Sequence, residues 1–254
     1  MHLRSLFYPI ILVLVSSASA AVPAPADSLP APALSEVWKP VPPIVSAPAN
    51  GIPSDAIVLF DGKNLDAWMS SKTGGVPGWT IEGDAMVVAP KTGNIRTRAG
   101  FGDIQLHLEF RTPAVVKGEG QGRGNSGVFF MGLYELQVLD SYRNETYVNG
   151  QAASIYKQQA PLVNASRGPG EWQVYDAIWI APRFNADGSL RSPARITVFH
   201  NGVLVQHQTE VQGGTVFRGK PSYKAHADKL PLELQDHSNP NAFRNIWVRE
   251  LKLP

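Results

Sequence analysis

The stretch DIQLHLEFR, residues 103–111, decides the fold class. Apolar and polar side chains alternate along it without a break, and a period of two is the side-chain period of a β-strand. The apolar side chains that share one face are Ile104, Leu106, Leu108 and Phe110. This pattern predicts a half-buried strand, with one face in a core and the other toward solvent.

Similar period-two runs occur on both sides of this strand. They cover residues 57–60, 79–81, 85–88, 127–131, 134–139, 172–180, 195–200, 203–208, 230–234 and 244–251. Turn-forming sequences separate them, such as Asn201-Gly202, which is typical of a two-residue hairpin. No stretch shows a sustained helical period between capping residues. The sequence therefore predicts an all-β protein, a jelly-roll sandwich of two antiparallel sheets, and a free outer face would form a groove if it curves.

The N-terminal segment predicts export. Residues 1–20 combine a basic start, an apolar run from Leu6 to Val15 and a small-residue ending, which is the layout of a signal peptide cleaved near Ala20. The apolar run is shorter than the ~20 residues that a membrane-spanning helix needs. The chain contains no cysteine, which excludes disulfides and an acylated lipoprotein anchor. We expect a periplasmic or secreted protein without a membrane anchor.

Composition divides the rest of the chain into two parts. Pro and Ala dominate residues 21–53, and this composition does not build a packed core, so we interpret the segment as an arm or linker. Residues 54–254 have the length of one large β-domain. The formal net charge is +2 and the basic residues are scattered, so no nucleic-acid partner is expected.

The densest polar cluster starts at the glycine-rich stretch GEGQGRGNSG, residues 118–127. The stretch lacks the Gly-Lys-Ser/Thr ending of a nucleotide-binding loop, and it is not the Gly-x-Ser-x-Gly elbow of a serine hydrolase. Two interpretations remain. The stretch is a flexible connection between strands, or its glycines let the backbone approach a ligand and direct Arg123 and Asn125 into a groove.

The stretch YELQVLD, residues 134–140, carries the next candidates. On a strand Glu135 and Gln137 share one face, and Asp140 joins them only if a bulge shifts the register by one. Jelly-roll glucanases carry Glu-x-Asp-x-x-Glu on the catalytic strand, whereas this chain has an amide in the middle and a shorter acid at the end. Because a retaining glycosidase needs two carboxyl groups ~5–5.5 Å apart, ordinary glycosidase chemistry is not favoured. The alternative is a solvated strand face on which Glu135 is merely exposed.

The stretch LQDH, residues 234–237, ends a strand with a histidine. His237 in such a position is a candidate general base or metal ligand. The alternative is a loop histidine that is hydrogen-bonded to Asp236. The remaining histidines show no helical His-x-x-x-His spacing.

Taken together, these motifs resemble the 3-keto-disaccharide hydrolase domain family. The matching segments, in chain order, are LFDGKNL (59–65), Trp68, GW (78–79), LEFR (108–111), GNSGVF (124–129), YELQVLD (134–140), SIY (154–156), GEW (170–172), NG (201–202), LQDH (234–237) and FRNI (243–246). They span nearly all of the domain that follows the Pro/Ala arm. The resemblance implies a concanavalin A-like jelly-roll sandwich.

The resemblance also implies cleavage of the glycosidic bond in sugars oxidised at carbon 3. A ketone at carbon 3 acidifies the proton on carbon 2, so a base removes it and the aglycone leaves by elimination, with or without rehydration. On this basis either His237 or Glu135 is expected as the base, and Arg123 with Asn125 as donors to the enolate oxygen. The expected sugar-binding or acid–base partners are Asp140, Gln137, Tyr156, Lys157 and Gln235.

A divalent cation is an alternative electrophile for the same reaction. Ca²⁺, Mg²⁺, Mn²⁺ or Zn²⁺ would be held by Glu135, Asp140 and His237, and it would replace the donors to the enolate oxygen. The resemblance leaves metal dependence, hydrolase or lyase outcome, and the aglycone open.

A non-catalytic carbohydrate-binding module is the second interpretation, because the same sandwich serves both uses. Trp172, Tyr142 and Tyr156 would then be its aromatic platforms, and Trp172 is also a candidate substrate-binding residue of an enzyme. The convergence of two acids, an arginine and a histidine favours an enzyme, because binding alone does not require so many ionisable groups. A structural or adhesion role is the third interpretation, and it would need no groove.

Overall fold

A computed structural model describes residues 35–49 and 51–253. The predicted signal peptide, residues 1–20, and the first part of the predicted arm, residues 21–34, lie outside the described residues. The chain divides into two units, Met1–Ile44 and Val45–Pro254. In the first unit the described residues 35–44 form no helix or strand, and their side chains are exposed. Nowhere in the described part is a helix long and apolar enough to cross a membrane.

The second unit consists of β-strands and loops, and its described residues include two short 3-10 turns, at Gly120–Gly122 and Val148–Gly150. The strands, in chain order, are β1 (Ile57–Phe60), β2 (Trp68–Ser70), β3 (Thr80–Glu82), β4 (Ala85–Val87), β5 (Ile95–Phe101), β6 (Ile104–Arg111), β7 (Ser126–Phe130), β8 (Tyr134–Val138), β9 (Gln173–Ile180), β10 (Arg183–Phe184), β11 (Leu190–Ser192), β12 (Arg195–His200), β13 (Val203–Glu210), β14 (Leu230–Leu234) and β15 (Ala242–Glu250).

The strands pair into two main antiparallel sheets. The larger sheet has the order β13-β12-β9-β6-β15-β4-β3, and β1 pairs with the second half of β15. The smaller sheet has the order β2-β5-β14-β7-β8, while β10 and β11 form a separate two-stranded ribbon. This arrangement confirms the predicted jelly-roll sandwich of two antiparallel sheets.

The core of the sandwich lies between the two main sheets. The inward side chains of β6 are at most 1% exposed, and they are Ile104, Leu106, Leu108 and Phe110. They share one hydrophobic cluster with Val128 and Leu136 of the smaller sheet. Fully burying each such side chain contributes about 1.5–3 kcal/mol. Tyr175 on β9 crosses this core and donates a hydrogen bond to the backbone carbonyl of Gln137 at 2.8 Å, which links the two sheets directly beneath β8.

The outer face of the smaller sheet is the face that positions the candidate site. Glu135 on β8 lies opposite Phe129 on β7, which in turn lies opposite Glu233 on β14. Gln137 lies opposite Gly127 in the neighbouring row. Because the side-chain period of a strand is two, these side chains project away from the core on the same face. The predicted pairing of Glu135 with Gln137 on one face follows from this register.

Four short or irregular strands were not predicted from the sequence, namely β2, β5, β10 and β11. In β5 the inward position Thr97 is polar, which hides the apolar alternation. Its hydroxyl donates to the carbonyl of Ala99 at 2.7 Å and accepts the N–H of Leu232 at 3.0 Å. A satisfied hydroxyl is compatible with burial, so the strand forms despite its polar appearance.

Candidate active site

A pocket of about 720 Å³ lies on the outer face of the smaller sheet, where β7, β8 and the end of β14 meet loops from other parts of the chain. Ligand pockets typically have volumes of about 300–1,000 Å³. The residues that line it are Gln121, Asn125, Phe129, Glu135, Gln137, Tyr147, Tyr156, Lys157, Thr215, Phe217, Gln235 and His237. The predicted residues that it brings together are Asn125, Glu135, Gln137, Tyr156, Lys157, Gln235 and His237.

Glu135 is the acid of this pocket. Its side chain is buried, with 5% of the residue exposed, so the solvated-face interpretation is wrong. Burial raises the pKa of its carboxyl from the ordinary 4.5 to about 8, because the charged form loses its hydration. A Cβ at Gly127 would lie 2.7 Å from Glu135 Oε1, so the glycine leaves the space that the carboxyl occupies. At neutral pH the carboxyl is protonated and can act as a proton donor.

Gln137 is fully buried beside Glu135, in the position where a glucanase would carry its second acid. With its nitrogen toward Glu135, the amide donates to Oε1 at 3.1 Å and to the backbone carbonyl of Ser126 at 3.0 Å. The opposite orientation directs the nitrogen to Gln121 Oε1 at 3.0 Å. In the first orientation Gln137 stabilises an ionised Glu135, whereas in the second its amide oxygen faces Oε1 and accepts a hydrogen bond only from the protonated carboxyl.

The glycine-rich loop is held in place by side chains. Asn144 accepts the N–H of Gly120 at 2.9 Å and donates to its carbonyl at 3.0 Å. Gln121 donates to the carbonyl of Gly150 at 2.8 Å, and Asn125 donates to the carbonyl of Gln121 at 2.7 Å. These contacts fix the loop against the segment after β8, so it forms a wall of the pocket and not a loose connection.

An aromatic rim borders the other side of the pocket. The hydroxyls of Tyr147 and Tyr156 lie 2.6 Å apart. Lys157 Nζ lies 4.2 Å from the ring centre of Phe217 and donates to the Phe217 carbonyl at 2.7 Å. Burial, the Tyr156 hydrogen bond and the nearby Glu135 charge raise the pKa of Tyr147, so its hydroxyl keeps its proton.

Several of these lining residues were not identified from the sequence. They are Gln121, Phe129, Tyr147, Thr215 and Phe217. Phe129 lies two residues after Gly127 on β7, so the period-two pattern places both on the face of Glu135 and contained the signal for Phe129. The others come from loops, whose spatial neighbours the chain order does not indicate.

The segment after β14 supplies the remaining polar groups. Gln235 Oε1 is buried and has no hydrogen-bond partner among the described residues. A buried acceptor of this kind is suited to a ligand donor such as a sugar hydroxyl. His237 is exposed and lines the same pocket. The Asp236 carboxylate accepts the N–H groups of Gly93 and Ser238 at 2.9 and 2.8 Å, so the structure does not show the alternative in which Asp236 holds His237.

Arg123 and Asp140 do not line this pocket, which corrects their predicted placement. Arg123 Nε donates to Asp140 Oδ2 at 2.6 Å, and Nη2 donates to the carbonyl of Tyr142 at 3.0 Å. β8 ends at Val138, and the chain does not return Asp140 to the face of Glu135. The two charges compensate each other at the wall of a neighbouring cavity.

Trp172 is also placed away from the pocket. It precedes β9 and packs against Ala242 of the larger sheet, and the guanidinium carbons of Arg111 and Arg244 lie 4.7 and 4.1 Å from its ring centre. These cation–π contacts explain its position without a ligand. The prediction that Trp172 binds substrate in this site is therefore corrected.

The predicted cation ligands are not assembled in one place. Among the described residues, no three His, Asp or Glu side chains come together in a metal-binding arrangement. Glu135 and His237 share the pocket, but the carboxylate of Asp140 is paired with Arg123 outside it. The residues present do not fit the proposed cation site.

The amino-acid sequence was compared with models of known protein families. Residues 55–249 match the family model described as the 3-keto-alpha-glucoside-1,2-lyase-like domain. The chain belongs to this family. The match covers most of the chain and confirms the resemblance seen in the motifs.

Solved structures agree with membership of the 3-keto-alpha-glucoside-1,2-lyase-like family. A candidate glycosyl hydrolase from Parabacteroides distasonis ATCC 8503 is 49% identical, with a TM-score of 0.84 over 87% of this chain and 97% of that chain. A second candidate glycosyl hydrolase from the same organism is 20% identical, with a TM-score of 0.57 over 78% of this chain and 94% of that chain. This second similarity shows the fold alone. A search of curated proteins found no match.

Proposed function

We propose that this protein cleaves the glycosidic bond of 3-keto-glycosides by removing the proton on carbon 2 and eliminating the aglycone. The observation that carries the proposal is the buried carboxyl of Glu135, whose pKa of about 8 keeps it protonated at neutral pH. His237 lines the same pocket. Together they supply the acid and the base that an elimination needs.

The described part of the pocket lacks the second carboxylate that a conventional glycosidase uses to displace the aglycone. Glu135 is the only carboxylate among the described residues that line it. Glu233 lies two strands away, roughly 9–10 Å between Cα atoms at a strand spacing of ~4.8 Å. Its oxygens accept hydrogen bonds from Ser71 and Asn94 at 2.8 and 2.7 Å. A retaining pair requires a separation of ~5–5.5 Å, and an inverting pair at ~6.5–9.5 Å would need Glu233 in the pocket, which it does not line, so elimination is the better match.

In the proposed reaction His237 accepts the proton from carbon 2, and the electrons of that C–H bond form an enolate with the ketone at carbon 3. The enolate then collapses to restore the ketone and to form a double bond between carbons 1 and 2, while the bond from carbon 1 to the aglycone oxygen breaks. Glu135 gives its proton to the departing oxygen. Addition of water across the double bond gives net hydrolysis, whereas release of the unsaturated sugar gives a lyase reaction.

Lys157 takes over the electrophilic role predicted for Arg123. Its ammonium lines the pocket and donates one hydrogen bond to the carbonyl of Phe217 at 2.7 Å. A lysine ammonium has three donors, so two remain for the enolate oxygen. Asn125 keeps its predicted place in the pocket, although one of its N–H groups is used by Gln121. A positioned cation at the developing negative charge lowers the barrier to proton removal.

The proposed location is the periplasm or the exterior of the cell. The signal-peptide layout of residues 1–20 supports it, with residues 54–254 as the exported catalytic domain. The N-terminal sequence of protein recovered from the periplasm or the medium tests it. A chain that retains its first residues and stays in the cytoplasm would contradict it.

Carbohydrate binding without turnover is the second candidate function. The free acceptor Gln235 Oε1 and the aromatic rim around Phe217 favour it, because they would serve a lectin as well as an enzyme. The feature that a lectin does not need is the protonated Glu135.

The test uses the purified protein with 3-keto-trehalose and a phenyl 3-keto-β-glucoside in heavy water, followed by mass analysis of the products. Elimination with rehydration introduces deuterium at carbon 2, and elimination alone gives the unsaturated sugar. Free 3-keto-glucose in the same buffer controls for exchange without enzyme. Cleavage without carbon-2 exchange or an unsaturated product would contradict the elimination, and saturable binding without cleavage would favour the lectin.

A further inference from the structure

Two tyrosines form one hydrogen-bonded pair in the wall of the active-site pocket. Tyr147 and Tyr156 both line the pocket, and their hydroxyl oxygens lie 2.6 Å apart. Neither hydroxyl has another hydrogen-bond partner in the part of the chain that the structure describes. Each hydroxyl carries one proton, so a pair that uses one proton internally keeps the other for a ligand.

The free proton belongs to Tyr156. Burial raises the pKa of the Tyr147 hydroxyl, and its hydrogen bond to Tyr156 raises that pKa further. A hydrogen bond has this effect when the neutral hydroxyl donates it, so Tyr147 is the donor and the Tyr156 oxygen is the acceptor. The hydrogen bond that Tyr156 accepts also polarises its own O–H group, which makes it a stronger donor to a ligand in the pocket.

The local backbone holds this pair in place. The N–H of Lys157 donates to the carbonyl of Asn149 at 2.7 Å, which ties the turn after Tyr147 to the segment that carries Tyr156. A Cβ at Gly150 would lie 2.0 Å from Cε2 of the Tyr147 ring, so the glycine leaves the space that the ring occupies. The hydroxyl pair is therefore preorganised by its surroundings.

The same wall carries a cation. Lys157 Nζ lies 5.5 and 5.6 Å from the ring centres of Tyr147 and Tyr156. The backbone N–H of Tyr156 donates to the carbonyl of Glu135 at 3.2 Å, which anchors the wall beside the acid. The wall thus offers a ligand two kinds of donor, an ammonium and a phenol. In contrast, Gln235 offers an acceptor that has no partner among the described residues.

This distribution of donors and acceptors separates the oxygens of the substrate. A sugar hydroxyl can donate to an acceptor such as Gln235 Oε1. A ketone oxygen carries no hydrogen and can only accept, so it matches the wall of Tyr156 and Lys157. An enolate oxygen matches the same wall better, because it is negatively charged and hydrogen bonds to a charged acceptor are stronger.

We propose that the Tyr156 hydroxyl, together with Lys157, donates a hydrogen bond to the oxygen on carbon 3 of the substrate, and that Tyr147 is the positioning residue of this donor. This inference rests on the proposed function and adds a catalytic residue to it. When His237 takes the proton from carbon 2, the electron pair of that bond forms the double bond between carbons 2 and 3, and the ketone oxygen becomes negative. Tyr156 keeps its proton and stabilises this oxygen, so no further atom is transferred.

The test isolates enolate formation from the departure of the aglycone. The probe is 1,5-anhydro-3-keto-glucitol, a ketone of the same ring that carries no aglycone on carbon 1. Proton NMR in heavy water follows the exchange of its carbon-2 hydrogen and gives kcat and KM for this step, and a sample without protein gives the background rate. Tyr156→Phe should lower kcat about 100-fold, as expected for the loss of one donor to an oxyanion, with KM nearly unchanged.

Two further variants accompany this measurement. Tyr147→Phe leaves the Tyr156 proton in place but removes the bond that polarises and positions it, so kcat for exchange should fall about fivefold, the usual size of one neutral hydrogen bond. Tyr142→Phe is the matched control and should exchange at the wild-type rate. Tyr142 is 38% exposed, close to the 39% of Tyr147, and it does not line the pocket. Circular dichroism checks the fold of each variant.

The failures of the two proposals are distinguishable. A wild-type kcat for exchange in Tyr156→Phe, or a change in KM alone, would overturn the assignment of Tyr156 and leave the proposed function standing. An unchanged kcat in Tyr147→Phe would likewise contradict the pair, and that variant keeps the Tyr156 side chain intact. Absence of carbon-2 exchange by the wild type would overturn the proposed function, and the assignment of Tyr156 with it.

Discussion

The outer faces of the two sheets both carry polar side chains at alternate strand positions. The faces differ in whether the carboxyl groups have charged partners. On the larger sheet Glu109 accepts a hydrogen bond from Arg244 Nε at 2.7 Å, and His107 Nδ1 lies 2.7 Å from Asp176. On the smaller sheet Glu135 forms no ion pair with a described residue, and burial raises its pKa to about 8. Alternation thus identifies a face, whereas the pairing of its charges indicates which carboxyl is available for chemistry.

The presence or absence of a cationic partner has opposite effects on the free energy of unfolding when the carboxyl ionises. A carboxylate with an arginine partner keeps its charge at little cost in the folded state. A carboxyl that is buried without a cation stays neutral, and the fold becomes less stable when pH forces it to ionise. Strongly perturbed pKa values of this kind cluster at functional sites, because chemistry requires a poised group where stability would prefer a paired one.

The largest expected effect is a loss of activity on replacing Glu135 that does not occur on replacing Glu109. Glu135→Gln removes the proton donor, so kcat/KM for a 3-keto-glycoside should fall about 10²–10⁴-fold, the usual contribution of general acid–base catalysis. His237→Ala should lose activity to a similar extent, while Glu109→Gln and His207→Ala serve as matched controls on the larger sheet. Steady-state kinetics with circular dichroism of each variant measures this. Full activity of both the Glu135→Gln and the His237→Ala variants would contradict the assignment of Glu135 as the acid and His237 as the base.

The pH dependence of the rate gives the next effect. Glu135 must hold its proton to donate it, and its folded pKa is about 8. Activity should therefore fall as pH rises above about 8, approaching tenfold per unit, or about 100-fold by pH 10. The measurement is a profile of kcat/KM against pH with an alkyl aglycone, whose departure needs a proton. A flat alkaline limb would mean that Glu135 is not the donor.

Stability should move in opposite directions on the two faces. The pKa of Glu135 is raised in the folded state from 4.5 to about 8, so its contribution is full below pH 4.5 and is lost as pH rises toward 8. Glu135→Gln does not ionise, and at pH 9 its free energy of unfolding should exceed that of the wild type by up to about 5 kcal/mol, at ~1.4 kcal/mol per pKa unit. Glu109→Gln should instead lose about 1–2 kcal/mol, between the values for exposed and buried pairs.

Urea denaturation at pH 5 and pH 9 measures both changes. The gain of Glu135→Gln should shrink to about 1 kcal/mol at pH 5, because this pH lies only slightly above the unfolded pKa of 4.5 while the folded carboxyl is fully protonated. A gain of equal size at both pH values would show that packing, and not ionisation, is responsible.

The sequence predicts the face of β8 but not all the partners of its side chains. The period-two rule alone places Glu135 and Gln137 together. The glycine-rich stretch predicts Arg123 in the groove, and a bulge after β8 predicts Asp140 there. Neither lines the pocket, because their ion pair depends on how the glycine-rich loop folds back across the end of β8. Charged residues close in sequence suggested one site, whereas the structure uses two of them to neutralise each other.

Loop contacts are the part of the site that the sequence could not predict. Lys157 donates to the carbonyl of Phe217, which is 60 residues further along the chain. Tyr147 and Thr215 likewise join the pocket from separate loops. Strand periodicity fixes directions only within a strand, so contacts between loops require the tertiary structure.

The smallest expected effect compares the aromatic side chains of the two faces. Phe217 borders the pocket with 67% of its surface exposed, while the Trp172 ring contacts two arginines on the larger sheet. Phe217→Ala should raise KM for a 3-keto-glycoside about threefold to tenfold, as expected for the loss of one aromatic contact, with a smaller change in kcat. Trp172→Leu should leave KM unaltered and lower only the melting temperature, because its ring contacts protein cations. A KM that responds to Trp172→Leu and not to Phe217→Ala would place the sugar on the larger sheet and reverse the assignment of the two faces.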